Sequence, residues 1–323
     1  MNAWKLVRLF HPSEVSAAFA ALQTDTAVRY FEDASGPLAR YLHRRHGDHG
    51  DWRDHIEVPL HHFLADSDVY RQLPPEVRHI CAGLHEAARA FVEVAVREPS
   101  VLPAPRDGVL HNLGRKSVLR VLRYPAGSGC RPHIDPGLCT ALLTGSAGGL
   151  DVNTLDELPV SFTNRPGDYT SHANVELAAP TAQPSALANA EEEETNVLNL
   201  LPNWEPVVTT DAGEAVVMAG NMMDVISRHT VPGVLHRVRR DWGGESVVTR
   251  SAALADSASL CRRGVTQRQP QSALSAASAN VGTTTAADLH DKAGHAPSVY
   301  RFNIIVELRP AQAKRWYAVS RTG

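Results

Sequence analysis

From Ser117 onward the sequence breaks into short β-prone runs separated by glycine and proline, with no helical pattern alternating between them. Val118-Leu119-Arg120-Val121-Leu122-Arg123-Tyr124-Pro125 carries β-branched and aromatic residues and stops at a proline, as a strand does. Further strand candidates fall at 137–144, 147–152, 205–209, 214–219, 233–239, 246–251 and 299–308. Many short strands without intervening helices close into an antiparallel sandwich or barrel, because parallel strands would need crossover helices between them.

Residues 1 to about 110 follow another period and read as mainly helical with short strands. Pro12-Ser13-Glu14 opens a helical pattern running to about Gln23, with Ser13 as the expected N-cap. After Pro74-Pro75, the residues Val77, Ile80, Cys81, Leu84, Ala88, Phe91 and Ala95 recur at three- and four-residue steps and stop before Pro99. This amphipathic helix needs an apolar partner, which a sheet in the following residues supplies. The expected class is therefore mainly β with flanking helices (α+β): an N-terminal mainly helical region, 1–110, packing on a β domain over 111–323. Residues 154–203 are Ala- and Pro-rich and contain the run Glu191-Glu192-Glu193-Glu194. Residues 254–297 are rich in Ser, Ala and Thr. Their low hydrophobicity and biased composition mark both as surface insertions, expected to be at least partly disordered.

Composition narrows the function classes. A formal charge of −3 over 323 residues, with pI near 6.6, gives no electrostatic basis for binding nucleic acid or an anionic membrane surface. No apolar run reaches the roughly 20 residues needed to span a bilayer. Met1 to Arg8 has no signal-peptide core. Cys81, Cys130, Cys139 and Cys261 are scattered without CxxC spacing, which argues against both a zinc site and a disulfide scaffold. A reducing, cytoplasmic setting is the expectation.

His133-Ile134-Asp135 suggests the chemistry. Iron(II) that activates dioxygen needs few protein ligands and several open positions, and two imidazoles with one carboxylate meet that need. Residues i and i+2 of a strand share a face, so His133 and Asp135 can meet one ion, with the third ligand coming from a distant strand. Among 16 histidines such a triplet is weak by itself. Its flanks are more specific: Leu119 to Pro125 ending in Tyr-Pro, Gly129, Pro136-Gly137-Leu138 after the triplet, then Gly148-Gly149-Leu150-Asp151-Val152. Beyond the first insertion follow Trp204-Glu205-Pro206-Val207, Gly213 to Met223, Ser227 and Val234-Leu235-His236-Arg237-Val238. Together these segments, about 80 residues in order, resemble the isopenicillin N synthase-like family of 2-oxoglutarate- and iron(II)-dependent oxygenases.

The resemblance implies a double-stranded β-helix (jelly-roll) core and iron(II) held by His133, Asp135 and His236. His229, in the turn before the last metal-bearing strand, is the competing distal ligand. It also implies 2-oxoglutarate as cosubstrate with O2, released as succinate and CO2 while a small organic substrate is hydroxylated or desaturated. The family clamps the far carboxylate of 2-oxoglutarate with Arg-x-Ser on a late strand, and arginine suits this because its planar fork meets a carboxylate bidentately. Here Arg301-Phe302-Asn303 occupies that place, 65 positions after His236, with asparagine where serine is expected. Arg250 is the rival, and Tyr124 resembles the family tyrosine that reaches the same carboxylate. The altered Arg-x-Ser keeps open an iron oxidase of the same family that does not use 2-oxoglutarate, or a jelly-roll binding protein without turnover. A cupin-type hydrolase or isomerase is a further alternative, disfavoured because no fourth ligand lies nearby. No general acid or base is nominated.

Overall fold

The computed structural model describes residues 2–33, 35–46, 52–98, 113, 116–145, 148–154, 203–209, 211–240 and 300–310. The two expected insertions and the strand expected at 246–251 lie almost entirely outside them. Among the described residues the strands are β1 (Trp4–Arg8), β2 (Leu42–His46), β3 (Trp52–Pro59), β4 (Val118–Pro125), β5 (Cys130–His133), β6 (Cys139–Thr144), β7 (Leu150–Asn153), β8 (Trp204–Pro206), β9 (Glu214–Ala219), β10 (His236–Val238) and β11 (Tyr300–Leu308). They form a seven-stranded sheet in the order β1-β9-β6-β11-β4-β3-β2 and a four-stranded sheet in the order β5-β10-β7-β8. Every pairing among them is antiparallel. The fold is mainly antiparallel β with a few helices.

Residues before 110 are woven into the larger sheet. β1 pairs with β9 at one edge, while β3 and β2 extend the other edge from β4. The helices of this region are α1 (Pro12–Leu22), α2 (Asp25–Glu32), α3 (Leu60–Leu64), α4 (Asp68–Arg71) and α5 (Pro75–Arg97). The cap of α1 is His11, not Ser13: the His11 imidazole accepts from the Ser13 N–H, and the Glu14 carboxylate accepts from the His11 N–H at 2.7 Å. Pro12 takes the first helical position, where its missing N–H costs nothing, and this moves the start one residue upstream of the serine. No helix among the described residues is long and apolar enough to cross a membrane.

Two cores follow from the alternation of the larger sheet. Leu119 and Val121 of β4, with Phe302, Ile304, Val306 and Leu308 of β11, face the buried side of α5. Leu122 and Tyr124 point the other way and pack with Cys130, Leu150, Val152 and Val238 of the smaller sheet. The inter-sheet space is thus bounded on one side by the even-numbered positions of β4 and the odd-numbered positions of β11.

That inner face also carries charge. Arg120 on β4 donates from Nε to Glu57 on β3 at 2.6 Å and from Nη1 to Glu307 on β11 at 2.7 Å. Arg309 donates to both Glu307 oxygens, at 2.6 and 2.7 Å. Glu307 is fully buried, and two guanidinium groups share its carboxylate oxygens.

Two outcomes follow for stability. Leu84, wholly buried on α5, faces the first core, and Leu84→Ala should cost about 2–5 kcal/mol in urea unfolding. Burial alone would raise the Glu57 carboxyl, but the charge and hydrogen bond of Arg120 hold it down at about 2, against an ordinary 4.5. With the folded value below the unfolded one, this stabilisation is complete above pH 4.5 and fades as the pH falls towards 2. The stability gap between wild type and Glu57→Gln should therefore narrow by about 2–3 kcal/mol from neutral pH to about pH 2, measured by denaturant unfolding at each pH.

Candidate metal centre

β10 lies between β5 and β7 in the smaller sheet, and its register with β5 sets His236 directly opposite His133. The two ring centroids are 4.3 Å apart, inclined at 50°. Asp135 is not on a strand, as the triplet spacing suggested, but two residues beyond the end of β5. A loop held at several points places it. The Asn221 N–H donates to the Asp135 carbonyl at 2.8 Å, the Met222 N–H to the Gly137 carbonyl at 3.0 Å, and the Leu138 N–H to the Leu308 carbonyl at 2.7 Å. Asn221 and Met222 open a short helix, α6 (Asn221–Ile226).

His133 Nε2 lies 3.5 Å from Asp135 Oδ1, and His236 Nε2 lies 4.0 Å from Asp135 Oδ2. One donor atom from each residue falls within 4.8 Å of the others, near the span of two metal–ligand bonds of about 2.1 Å each. Each imidazole is oriented from behind by a backbone carbonyl: His133 Nδ1 is 2.9 Å from the Arg131 oxygen, and His236 Nδ1 is 3.1 Å from the Val234 oxygen. An Nδ1–H donating there turns Nε2 towards the centre, the usual orientation of a metal-ligating histidine. The Thr140 hydroxyl donates to Asp135 Oδ2. His229 stands apart: its ring is 69% exposed and Nδ1 is 3.0 Å from Asp224.

Protonation in this group is shared unevenly. Burial would raise the Asp135 carboxyl, but the hydrogen bond from His133, the charge of His236 and the Thr140 hydroxyl hold it far below the carboxylate range. Burial would lower His133, yet Cys130 and Asp135 carry it up to about 10. Burial and the neighbouring His133 push His236 down to about 4. The trio thus presents a carboxylate, a protonated imidazole and a neutral one, and a bound cation would take the place of the His133 proton.

The second feature of the inter-sheet space is Arg301. It is 1% exposed on β11, opposite Tyr124 on β4, with its guanidinium 5.8 Å from the Tyr124 ring centroid. Its Nε, Nη1 and Nη2 are all buried without a hydrogen-bond partner among the described residues, and so is Asn303 Oδ1, two residues along the same face. Burial lowers Arg301 to about 10, so it remains a cation at neutral pH. A buried cation with no partner costs several kcal/mol, which an anionic ligand would offset. Arg250 lies outside the described residues.

No protein-family model and no curated protein matches the sequence. Solved structures do match. A candidate oxygenase from Shewanella oneidensis superposes with a TM-score of 0.50 at 12% identity, over 98% of this chain and 88% of that one. The chain shares that protein's fold. Looser likenesses include a candidate 2OG-Fe(II) oxygenase family protein from Caulobacter crescentus (TM-score 0.45, 16% identity, 95% and 77% of the two chains). Another is a dioxygenase for auxin oxidation from Arabidopsis thaliana in its complex with 2-oxoglutarate (TM-score 0.43, 12% identity, 93% and 76%).

Neither Thr140 nor the Glu57–Arg120–Glu307 network stands out in the sequence, since no spacing marks residues joined only by strand register. Gly220 is legible in hindsight as a close approach. A Cβ there would meet the Gly137 and Asp135 carbonyl oxygens at 2.3 and 2.8 Å. Gly220→Ala should push the Asp135 loop out of place and weaken Co(II) binding at least about tenfold in a spectroscopic titration. Gly127→Ala, where φ is +76 but a Cβ meets nothing within 4 Å, should lose about 1 kcal/mol of stability and keep its Co(II) affinity.

Proposed function

We propose that this chain is an iron(II)- and 2-oxoglutarate-dependent dioxygenase that hydroxylates or desaturates a small organic molecule. In this reading the β domain over 111–323 is a double-stranded β-helix, and residues 1–110 complete its larger sheet and cover its outer face. The observation that carries the reading is Arg301, buried and without a hydrogen-bond partner among the described residues, in the same inter-sheet space as the His133, Asp135 and His236 donors. A 2-His-1-carboxylate set suits iron(II), and an enclosed guanidinium suits the far carboxylate of a dicarboxylic cosubstrate.

Bound iron with 2-oxoglutarate and O2 would supply the oxidising chemistry, and the protein supplies placement. His133, Asp135 and His236 would hold the metal, with the Arg131 and Val234 carbonyls fixing the imidazole tautomers. Arg301 would take the far carboxylate through its paired N–H groups. Asn303, after a half-turn of its amide, would donate one more hydrogen bond, and Tyr124 would close the pocket beside them. Leu122, Val152, Val216 and Val238 line the inter-sheet core and keep bulk water from the reacting groups.

Wild-type protein with iron(II), ascorbate and air should convert 2-oxoglutarate to succinate, and the His133→Ala, Asp135→Ala double variant should not. Arg301→Gln should raise the KM for 2-oxoglutarate about 30-fold or more, the loss expected for a desolvated charged pair, while Arg250→Gln should change it little. Absence of succinate from wild-type protein would overturn the reading. Substrate oxidation that proceeds without 2-oxoglutarate and ignores Arg301 would make the chain an oxidase of the same architecture.

A further inference from the structure

The two oxygens of the Asp135 carboxylate divide between the imidazoles. Oδ1 lies 3.5 Å from His133 Nε2, and Oδ2 lies 4.0 Å from His236 Nε2. The backbone contacts of the Asp135 loop fix where the residue sits but not how its carboxylate is turned, because the terminal torsion of an aspartate is broad. Position alone therefore does not decide whether one oxygen or both would meet a bound ion.

Thr140 supplies what the backbone leaves open. Its hydroxyl donates to Asp135 Oδ2, and the residue is wholly buried. It lies inside the larger sheet on β6, opposite Met218 of β9 and Glu307 of β11, so it cannot shift without moving both neighbouring strands. Between Asp135 and Thr140 the chain is tied again at Leu138, whose N–H donates to the Leu308 carbonyl at 2.7 Å and whose carbonyl accepts from the Gly220 N–H at 3.0 Å. A β-branched side chain on a strand also has few rotamers. The donor is thus as rigid as the sheet, and it is aimed at one oxygen of a carboxylate that would otherwise turn.

We propose that Thr140 is a positioning residue that keeps Asp135 a one-oxygen ligand, engaging Oδ2 so that Oδ1 alone meets the metal. The inference rests on the assignment of His133, Asp135 and His236 as metal ligands, not on the use of 2-oxoglutarate. Its consequence is a count of open positions. Two imidazoles and one carboxylate oxygen leave about three positions on a six-coordinate ion, whereas a chelating carboxylate leaves about two. A bidentate cosubstrate would fill those two and leave no place for a further molecule. Thr140 thereby preserves the last open position without touching the metal.

The test uses Mn(II), an ion that accepts imidazole and oxygen ligands, bound to the full-length protein without cosubstrate. Metal-bound waters are counted by pulsed electron paramagnetic resonance in isotope-labelled water. Wild-type protein should hold about three, a count that needs no variant to be informative. Thr140→Val keeps the shape of the side chain but not its donor, and should hold about two; Thr140→Ser should restore about three. Thr140→Ala, which removes the hydroxyl by truncation, should follow Thr140→Val. A merely loosened fold would weaken Mn(II) binding without changing the water count of the complex that forms. A wild-type count of about two, or a Thr140→Val protein that keeps the wild-type count, overturns the proposal. So does loss of Mn(II) binding in folded Thr140→Val and Thr140→Ala, because a carboxylate released from Thr140 should gain a contact with the ion. Wild-type protein that binds no Mn(II) would sink the ligand assignment and this proposal together. Absence of succinate formation with the counts as expected would sink the oxygenase reading alone.

Discussion

The pairing of β10 with β5 is the constraint on which the rest of the site depends. It places His236 opposite His133, and only one register does so. A one-residue slip of β10 would turn its imidazole to the opposite face of the sheet and could set Arg237 opposite His133 instead. Two further pairings guard that register. Arg237, next to His236, meets Asp151 across the β10–β7 pair, with Nε 3.1 Å from a carboxylate that is 3% exposed. The same guanidinium lies 4.3 Å from the centre of the Trp204 ring on β8. The outer face of the small sheet thus holds the register that its inner face uses.

The third donor is secured differently. Asp135 sits past the end of its strand, where side-chain alternation no longer controls direction, and its placement passes to backbone contacts with α6 and β11. Those contacts need chains to approach more closely than a side chain allows. A Cβ at Gly137 would strike the Leu308 carbonyl at 2.6 Å, and one at Gly220 would strike the loop itself. The site therefore combines two rigid strand positions with one loop position, and glycines on both sides of the loop admit the close approach that fixes it.

This division explains what is legible in the sequence. α5 is readable to within a residue or two, because a 23-residue amphipathic period bounded by prolines leaves little ambiguity. β4 is readable for the same kind of reason: eight β-prone residues ending at Pro125. β1 gives no comparable signal, since Trp4-Lys5-Leu6-Val7-Arg8 is an edge strand with polar residues and no turn signal before it. The runs at 205–209 and 233–239 shrink to three-residue strands because the short partner strands beside them set the usable length. His133, Asp135 and His236 can be nominated from motif context. The residues around them, Thr140, Glu57 and Glu307, cannot, because only register brings them together. Arg301 carries a signal in its strand and closing proline, but that its charge is buried without a hydrogen-bond partner among the described residues emerges only in three dimensions.

Two arginines on the inner face of the larger sheet show how the protein handles buried charge. Arg120 is neutralised within the fold by glutamates on both neighbouring strands, so its desolvation is compensated at all times and its geometry does not change when a ligand arrives. Arg301 sits diagonally along the same face with none of that compensation among the described residues. A carboxylate on β4 opposite Arg301, where Tyr124 stands, would remove that cost. The desolvation cost is therefore left standing at Arg301 and removed at Arg120, whose guanidinium is gripped from both sides. One sheet face thus carries a guanidinium without a hydrogen-bond partner among the described residues and another that is paired twice.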